Sequence, residues 1–326
     1  MALLNMVQAI REALSTAMAT DDRVIVLGQD VGKLGGIFRA TDGLLARFGE
    51  KRVIDMPLAE GVIIGCALGL AVSGLRPVAE IQFLGFAQQA VHQILQQVAR
   101  MRYRSRGRFA ASMVIRAPFG GGGKTPELHS DAIEALFAQG HGLKVVAPSN
   151  PYDAKGMLLR AIHDDDPVLF CEPLRGYRIA KDEVPSTPYE VEIGKAKVVR
   201  DGKDVTLIAW SAAVNLALQA AAVLSTEGID AKVVDVRSLL PLDIDTLVSA
   251  VAGTGRCVVI HEAPLTAGLG AEIVASIAKE AFYSLQAPLE RVTAPDAPYP
   301  LAAGEQMFIP NVERVVSAAR QACEAS

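Results

Sequence analysis

A chain of 326 residues, 51% hydrophobic and 21% charged, is long enough for two ordinary domains with substantial cores, and its 28 glycines and 17 prolines are too scattered for a fibrous or disordered chain. A formal charge of −4 and a pI near 5.8 give no electrostatic reason to expect nucleic acid. Cys66, Cys171, Cys257 and Cys323 lack metal-like spacing, the amino terminus lacks a basic segment before an apolar run, and residues 61–75 fall short of the about 20 apolar residues a bilayer span needs, so the expectation is a cytoplasmic protein with reduced thiols and no membrane contact.

In chain order, Asn5 to Ala19 reads as an amphipathic helix and Val24 to Gly28 as a buried strand before a glycine-containing loop. A helix over 60–72, a strand from Pro77 and a long helical stretch from about Gln88 to Arg104 follow. Ala111 to Arg116 is a strand running into Gly120-Gly-Gly-Gly-Lys124; then come a helix from about Ser130 to Gly140, strand Leu143 to Pro148, a helix opened by Pro151 and strand Pro167 to Phe170. This alternation implies a mostly parallel sheet with helices on both faces. Charged, proline-bearing sequence then reads as a linker, with a small hairpin over Val191 to Val199. Alternation resumes with strands at 205–210, 231–235, 257–261 and 289–292 and helices at 212–225, 243–251 and 269–281. The expected division is a first domain over 1–185, a linker and hairpin over 186–203, and a second α/β domain over 204–326. Ligands in such sheets prefer the carboxyl ends of strands.

Glu60 stands at the head of Gly61, Gly65 and Gly69, which share a helix face and leave it bare for close approach of a backbone or a flat ligand. Its carboxylate is either a helix-end charge, worth roughly 0.3–1 kcal/mol, or a general acid/base with apolar neighbours. The run Gly120 to Lys124 fails the phosphate-loop spacing because position 118 is proline, so a mobile loop bordering a site is the better account. His129 follows that loop, with Asp131 beside it. The arginines over 100–108 read as a solvated face or an anion-holding cluster, and Asp164-Asp-Asp166 as a solvated turn.

These segments together resemble the beta subunit of the thiamin-diphosphate-dependent E1 component of 2-oxo acid dehydrogenase complexes. The resemblance runs through Val26-Leu-Gly-Gln-Asp-Val-Gly, Pro57-Leu-Ala-Glu60, Gly74-Leu-Arg-Pro-Val-Ala-Glu-Ile-Gln-Phe, Met101-Arg-Tyr-Arg-Ser, Val114-Ile-Arg-Ala-Pro and His129-Ser. It continues with Gly142-Leu-Lys-Val-Val-Ala-Pro, Tyr152-Asp-Ala-Lys-Gly, Val236-Arg-Ser-Leu-Leu-Pro-Leu-Asp and His261-Glu-Ala-Pro-Leu-Thr. It implies a transketolase-like pyrimidine-binding domain followed by a transketolase C-terminal-like domain. Glu60 then corresponds to the glutamate that hydrogen-bonds the aminopyrimidine N1′ of thiamin diphosphate, favouring the tautomer whose exocyclic nitrogen takes the thiazolium proton. Phe86 corresponds to the aromatic residue against the aminopyrimidine, Leu58 and Gln82 to pocket-lining positions, and His129 to the histidine of proton transfer and lipoyl acylation.

The same resemblance implies an alpha subunit in an α2β2 heterotetramer, holding most of the diphosphate and its Mg2+, and an E2 lipoyl acyltransferase that receives the acyl group. It implies a potassium site on carbonyls of Ala111, Met113, Val114 and Ala161 with help from Asp164 and Asp166. The segments around Glu80, Tyr103, Ile115 and His261 are closest to the branched-chain type, which implies oxidative decarboxylation of branched-chain 2-oxo acids. Pyruvate or acetoin is the alternative, and a non-catalytic scaffold the alternative of another class. Asp131, His92, Arg106 and Phe86 depart from the family pattern; Asp131 invites a raised imidazole pKa or a turned ring at His129.

Overall fold

A computed structural model describes residues 1–178 and 181–325. Its strands are β1 (Ala2–Asn5), β2 (Val24–Gly28), β3 (Val53–Asp55), β4 (Arg76–Glu80), β5 (Val114–Phe119), β6 (Lys144–Val146), β7 (Val168–Pro173), β8 (Lys181–Val184), β9 (Lys197–Arg200), β10 (Val205–Ala209), β11 (Ala231–Asp235), β12 (Ser238–Leu240), β13 (Cys257–Pro264) and β14 (Glu290–Ala294). A seven-stranded sheet runs in the order β12-β6-β7-β5-β4-β2-β3, and only the edge pair β12-β6 is antiparallel. A five-stranded sheet runs β14-β13-β10-β11-β9, parallel but for β9.

Buried strands in the first sheet send alternate residues to opposite faces. Val24, Val26, Val78, Val114 and Phe170 meet the helices Met6–Thr20 and Pro151–His163, whereas Leu27, Ala79, Ile115 and Leu169 meet the helix Glu60–Val72. Where β4, β5 and β7 run side by side, Arg116 is buried between Glu80 at 2.7 Å and Glu172 at 3.0 Å. Removing one member would strand a buried charge at a cost of about 3–5 kcal/mol.

The two-domain α/β expectation is met, but the chain does not divide cleanly at residue 204. Strand β12, from the second half of the sequence, joins the edge of the first sheet. Beside it, Ser149 Oγ donates to Asp235 Oδ2 at 2.5 Å and Arg237 Nη1 donates to Asp153 Oδ1 at 3.2 Å. Burial pushes the Asp235 carboxyl up to about 7, against the Ser149 hydrogen bond.

Four local expectations change. The stretch 88–104 is not one α-helix but a 3-10 turn over Leu84–Ala90, a π-helical segment over His92–Val98 and a short α-turn over Met101–Arg104. The helix expected over 130–140 shrinks to Glu134–Ala138. The hairpin over 191–199 is absent, because β9 pairs instead with β11; β8, at the end of the expected first domain, pairs with β1. A carboxyl-terminal helix, Val312–Glu324, adds to the expected elements; Asn311 caps it, and Val315, Val316 and Ala319 face the core. Among the described residues no helix is long and apolar enough to cross a membrane.

Candidate active site

The loops after β2, β3, β4 and β5 meet at the carboxyl end of the first sheet. Asp55, closing β3, accepts hydrogen bonds from the backbone of Gly32 at 2.6 Å and of Lys33 at 3.1 Å, which ties the first two loops together. Five residues later Glu60 begins the helix Glu60–Val72, whose Ile63, Ile64, Ala67 and Ala71 are buried. That anchoring turns Leu58, Val62, Gly65, Cys66 and Gly69 outward, and nothing in this chain lies within 4 Å of where side chains at Gly65 and Gly69 would begin. The bare glycine face expected from the spacing exists at Gly65 and Gly69, whereas a Cβ at Gly61 would stand 3.6 Å from the Gln89 carbonyl oxygen and from Gln93 Nε2 of this chain.

A cleft of about 760 Å³ opens beside Glu60, walled by Leu58, Val62, Phe86, Gln93 and Leu128 among others. Glu60 is half-buried there and makes no side-chain hydrogen bond among the described residues. Phe86 reaches the cleft because the 3-10 turn Leu84–Ala90 packs directly on the turn Glu127–His129. Gly85 permits this approach: a Cβ on it would stand 2.1 Å from the carbonyl oxygen of Leu128.

His129 sits behind Phe86, edge-on to Phe83 at 4.5 Å and to Phe86 at 4.9 Å between ring centroids. Its Nδ1 is buried without a hydrogen-bond partner among the described residues. Ring packing orients the imidazole, and no hydrogen bond at Nδ1 from the described residues selects its tautomer. Asp131 does not turn the ring: its carboxylate lies 3.5 Å from Gln88 Nε2, and burial, helped by Glu127, raises its own pKa.

The structure thus brings Glu60, Leu58 and Phe86 to one cleft, with His129 against its aromatic wall. Gln82 is placed elsewhere. Its Nε2 is 3.3 Å from Asp30 Oδ2, on the loop after β2, and it does not line the cleft. The glycine run is also different from the expected mobile loop, because carboxylates of Glu262 and Glu305 occupy backbone N–H groups of Gly121, Gly122 and Lys124. Those two glutamates come from the second domain, beyond the reach of any local spacing pattern.

Most of the oxygens expected to hold potassium already have donors. Lys144 Nζ lies 2.7 Å from both Asp164 carboxylate oxygens, and Arg102 Nε donates to Asp166 Oδ1 at 2.6 Å. The carbonyls of Ala111, Met113 and Ala161 accept from the backbone of Met113, Val168 and Asp164 at 2.8, 3.0 and 3.3 Å. An ammonium group seated on Asp164 does not fit a bare cation at the same oxygens. Among the described residues no cluster of three or more His, Cys, Asp or Glu side chains is arranged for a metal ion.

The Glu60 cleft does fit an aromatic, nitrogen-bearing cofactor: one wall is aromatic, a carboxylate stands free of protein partners, and the adjoining helix face is bare. Residues 3–179 match the pyrimidine binding domain of transketolase, and residues 194–315 match the transketolase C-terminal domain. The chain is 50% identical to the pyruvate dehydrogenase E1 component subunit beta of Bacillus subtilis (strain 168), over 99% of this chain and 100% of that one. It is 49% identical to the protein of the same description from Staphylococcus epidermidis (strain ATCC 12228), with the same coverage. Among solved structures, a split gene transketolase described as an inactive beta4 tetramer has a TM-score of 0.82 at 26% identity, covering 99% of each chain. Transketolase from Leishmania mexicana has a TM-score of 0.71 at 18% identity, covering 100% of this chain and 46% of that one, a likeness of fold alone.

Proposed function

We propose that this chain, which belongs to the transketolase-like E1 beta subunits of 2-oxo acid dehydrogenases, serves pyruvate and works with an alpha subunit in an α2β2 heterotetramer. The observation that carries the chemistry is Glu60, a half-buried carboxylate without a side-chain partner among the described residues, at the head of a helix uncovered at Gly65 and Gly69. The choice of pyruvate rests on relatives 47–50% identical along nearly the whole chain, all described as pyruvate dehydrogenase subunits. The branched-chain preference expected from short motifs finds no support in those descriptions.

Thiamin diphosphate, when bound, supplies the electron sink that lets a 2-oxo acid lose carbon dioxide. The residues of this chain prepare that chemistry. Glu60 would meet the aminopyrimidine ring through a carboxylate oxygen and hold a proton at N1′. Phe86 and Leu58 would pack against the ring, and with Val62 they would exclude water, which strengthens the Glu60 hydrogen bond. His129 would move a proton during transfer of the acyl group to the lipoyl group of an E2 acyltransferase. The diphosphate and Mg2+ would rest on the alpha subunit.

The test is to co-express the chain with its alpha subunit and assay decarboxylation of pyruvate and of 3-methyl-2-oxobutanoate, and oxidative carbon–carbon cleavage of acetoin, each with the same artificial electron acceptor. Pyruvate is expected to have the highest kcat/KM. A preference for 3-methyl-2-oxobutanoate would overturn the substrate while leaving the chemistry. Equal activities of the wild type and Glu60→Ala would remove Glu60 from its role, and an assembled heteromer that binds no thiamin diphosphate would make the chain a scaffold.

A further inference from the structure

We infer that Glu305 and Glu262 of the second domain are positioning residues for His129, acting through the glycine loop 120–124. Glu305 is buried, at 4% exposure, and its Oε1 accepts from Gly122 N at 3.0 Å, Lys124 N at 3.1 Å and the Tyr299 hydroxyl at 2.7 Å. Glu262 Oε2 accepts from Gly121 N at 2.8 Å, while Oε1 accepts from Arg175 Nη2 at 2.6 Å. Two carboxylates from the second domain therefore grip three backbone N–H groups of the first. Charge-assisted hydrogen bonds to main-chain donors fix backbone direction as well as position.

The glycines are explained by this grip. A Cβ at Gly120 would stand 2.3 Å from Glu262 Oε2, one at Gly121 2.1 Å from the Tyr299 hydroxyl, and one at Gly122 2.8 Å from Arg175. Gly120 and Gly122 also have φ of +80° and +95°. Missing side chains let the second domain reach the backbone of the first, and the N–H groups that would otherwise attract an anion are spent on protein carboxylates.

The grip is transmitted over a short distance. Thr125 Oγ1 and Ser130 Oγ, 2.7 Å apart, close the far end of the loop, and His129 N bonds the carbonyl of Pro126 at 2.9 Å. Because the His129 side chain has no hydrogen bond of its own to protein at Nδ1, its placement depends on this backbone and on the two phenylalanine rings. Releasing the loop should shift the imidazole without touching Glu60, which comes from a different loop. A misplacement of about 1 Å is enough to cost up to about a hundredfold in rate.

The inference rests on the proposed role of His129 in acyl transfer, so the experiment separates the two. The α2β2 enzymes carrying Glu305→Ala, Glu305→Gln, Tyr299→Phe and His129→Ala would be compared in hydrogen exchange over 121–129, in pyruvate decarboxylation with an artificial electron acceptor, and in reductive acylation of a free lipoyl domain. Glu305→Ala is expected to speed exchange over 121–129 and to lower the kcat of acylation roughly tenfold to a hundredfold, with the KM for pyruvate changed less than about twofold. Glu305→Gln, which keeps one acceptor oxygen, should recover most of both losses. Should Glu305→Ala fail to assemble, Tyr299→Phe removes one donor with little change of shape and should show the same pattern, weaker. Unchanged exchange overturns the inference, as does faster exchange with undiminished acylation where His129→Ala is impaired. If His129→Ala acylates normally, the role of His129 fails instead, and faster exchange reversed by Glu305→Gln still supports the grip.

Discussion

Trp210 of the second domain donates its indole Nε1–H to Glu134 of the first at 3.2 Å, and both side chains are buried. The other side of the indole is also occupied: His261 stacks on it with ring centroids 5.0 Å apart and planes 13° from parallel. Neither His261 nitrogen has a hydrogen-bond partner among the described residues, and side chains at Gly268 or Gly270 would collide with its ring. The domain junction beside the loop of His129 thus contains two ionisable groups out of reach of water.

Those groups make opposite contributions to the pH dependence of stability. Burial pushes the Glu134 carboxyl up to about 7, with its own backbone and Trp210 pulling it partly back. The folded protein therefore holds a proton that the unfolded chain has lost; the resulting stability is fully present below the usual carboxyl range and disappears as pH rises through about 7. Burial, followed by the charge of Arg291, presses the His261 imidazole down to about 4, so its contribution is present above the usual histidine range and is lost as pH falls toward 4. Glu134→Gln keeps an acceptor for Trp210 but removes the titration. Its free energy of unfolding should rise relative to wild type between pH 5 and pH 8, by an amount on the order of 3 kcal/mol. A difference that stays constant across that range would show that Glu134 does not titrate there.

Glu60→Gln separates chemistry from stability. Without a side-chain hydrogen bond and only half-buried, Glu60 contributes no more than its charge at a helix amino end, about 0.3–1 kcal/mol, whereas loss of a positioned proton-handling group costs about a hundredfold to ten-thousandfold in rate. Denaturant unfolding should be nearly unaltered while decarboxylation collapses. A large loss of stability with modest loss of rate would make Glu60 a structural residue.

Gly85→Ala tests the contact that seats Phe86 and His129. A methyl group 2.1 Å from the Leu128 carbonyl oxygen must push the two turns apart, at a cost of about 1–3 kcal/mol by the usual penalty for overpacking. Both decarboxylation and acylation should fall, since Phe86 and His129 move together. Wild-type rates would show that the two turns can separate without consequence.

Lys144 offers a test of cation dependence. With its ammonium on both oxygens of Asp164, the melting temperature of the heteromer should be the same in potassium and in sodium chloride at equal ionic strength. Lys144→Met leaves the buried Asp164 with Asp166 N at 2.9 Å and the longer contact to Arg160 at 3.5 Å, and should destabilise by about 1–3 kcal/mol. Stabilisation of the wild type specific to potassium would restore the ion to this turn.

Some departures from the family pattern become physical once the backbone is known. Arg106, standing where glycine is usual, adopts φ +54°, in the region that favours glycine. His92 is exposed in the π-helical segment, and nothing in the structure explains its substitution.

Local pattern alone determined the alternating strands and helices, the two α/β units and the bare face behind Glu60, because periods of two and of about 3.6 residues report which side of an element is buried. The ordered motifs also placed Leu58, Phe86 and Glu60 in one family site. Tertiary structure decided which candidates meet: Gln82 turns to Asp30, Lys144 takes the oxygens of Asp164, and β12 leaves its own domain for the edge of another sheet. It also made a gripped loop of a glycine run that reads as mobile, since the gripping residues, Glu262 and Glu305, lie 141 and 183 positions further along the chain. Glycine spacing reveals that a backbone can be approached closely; only the packed fold reveals what approaches it.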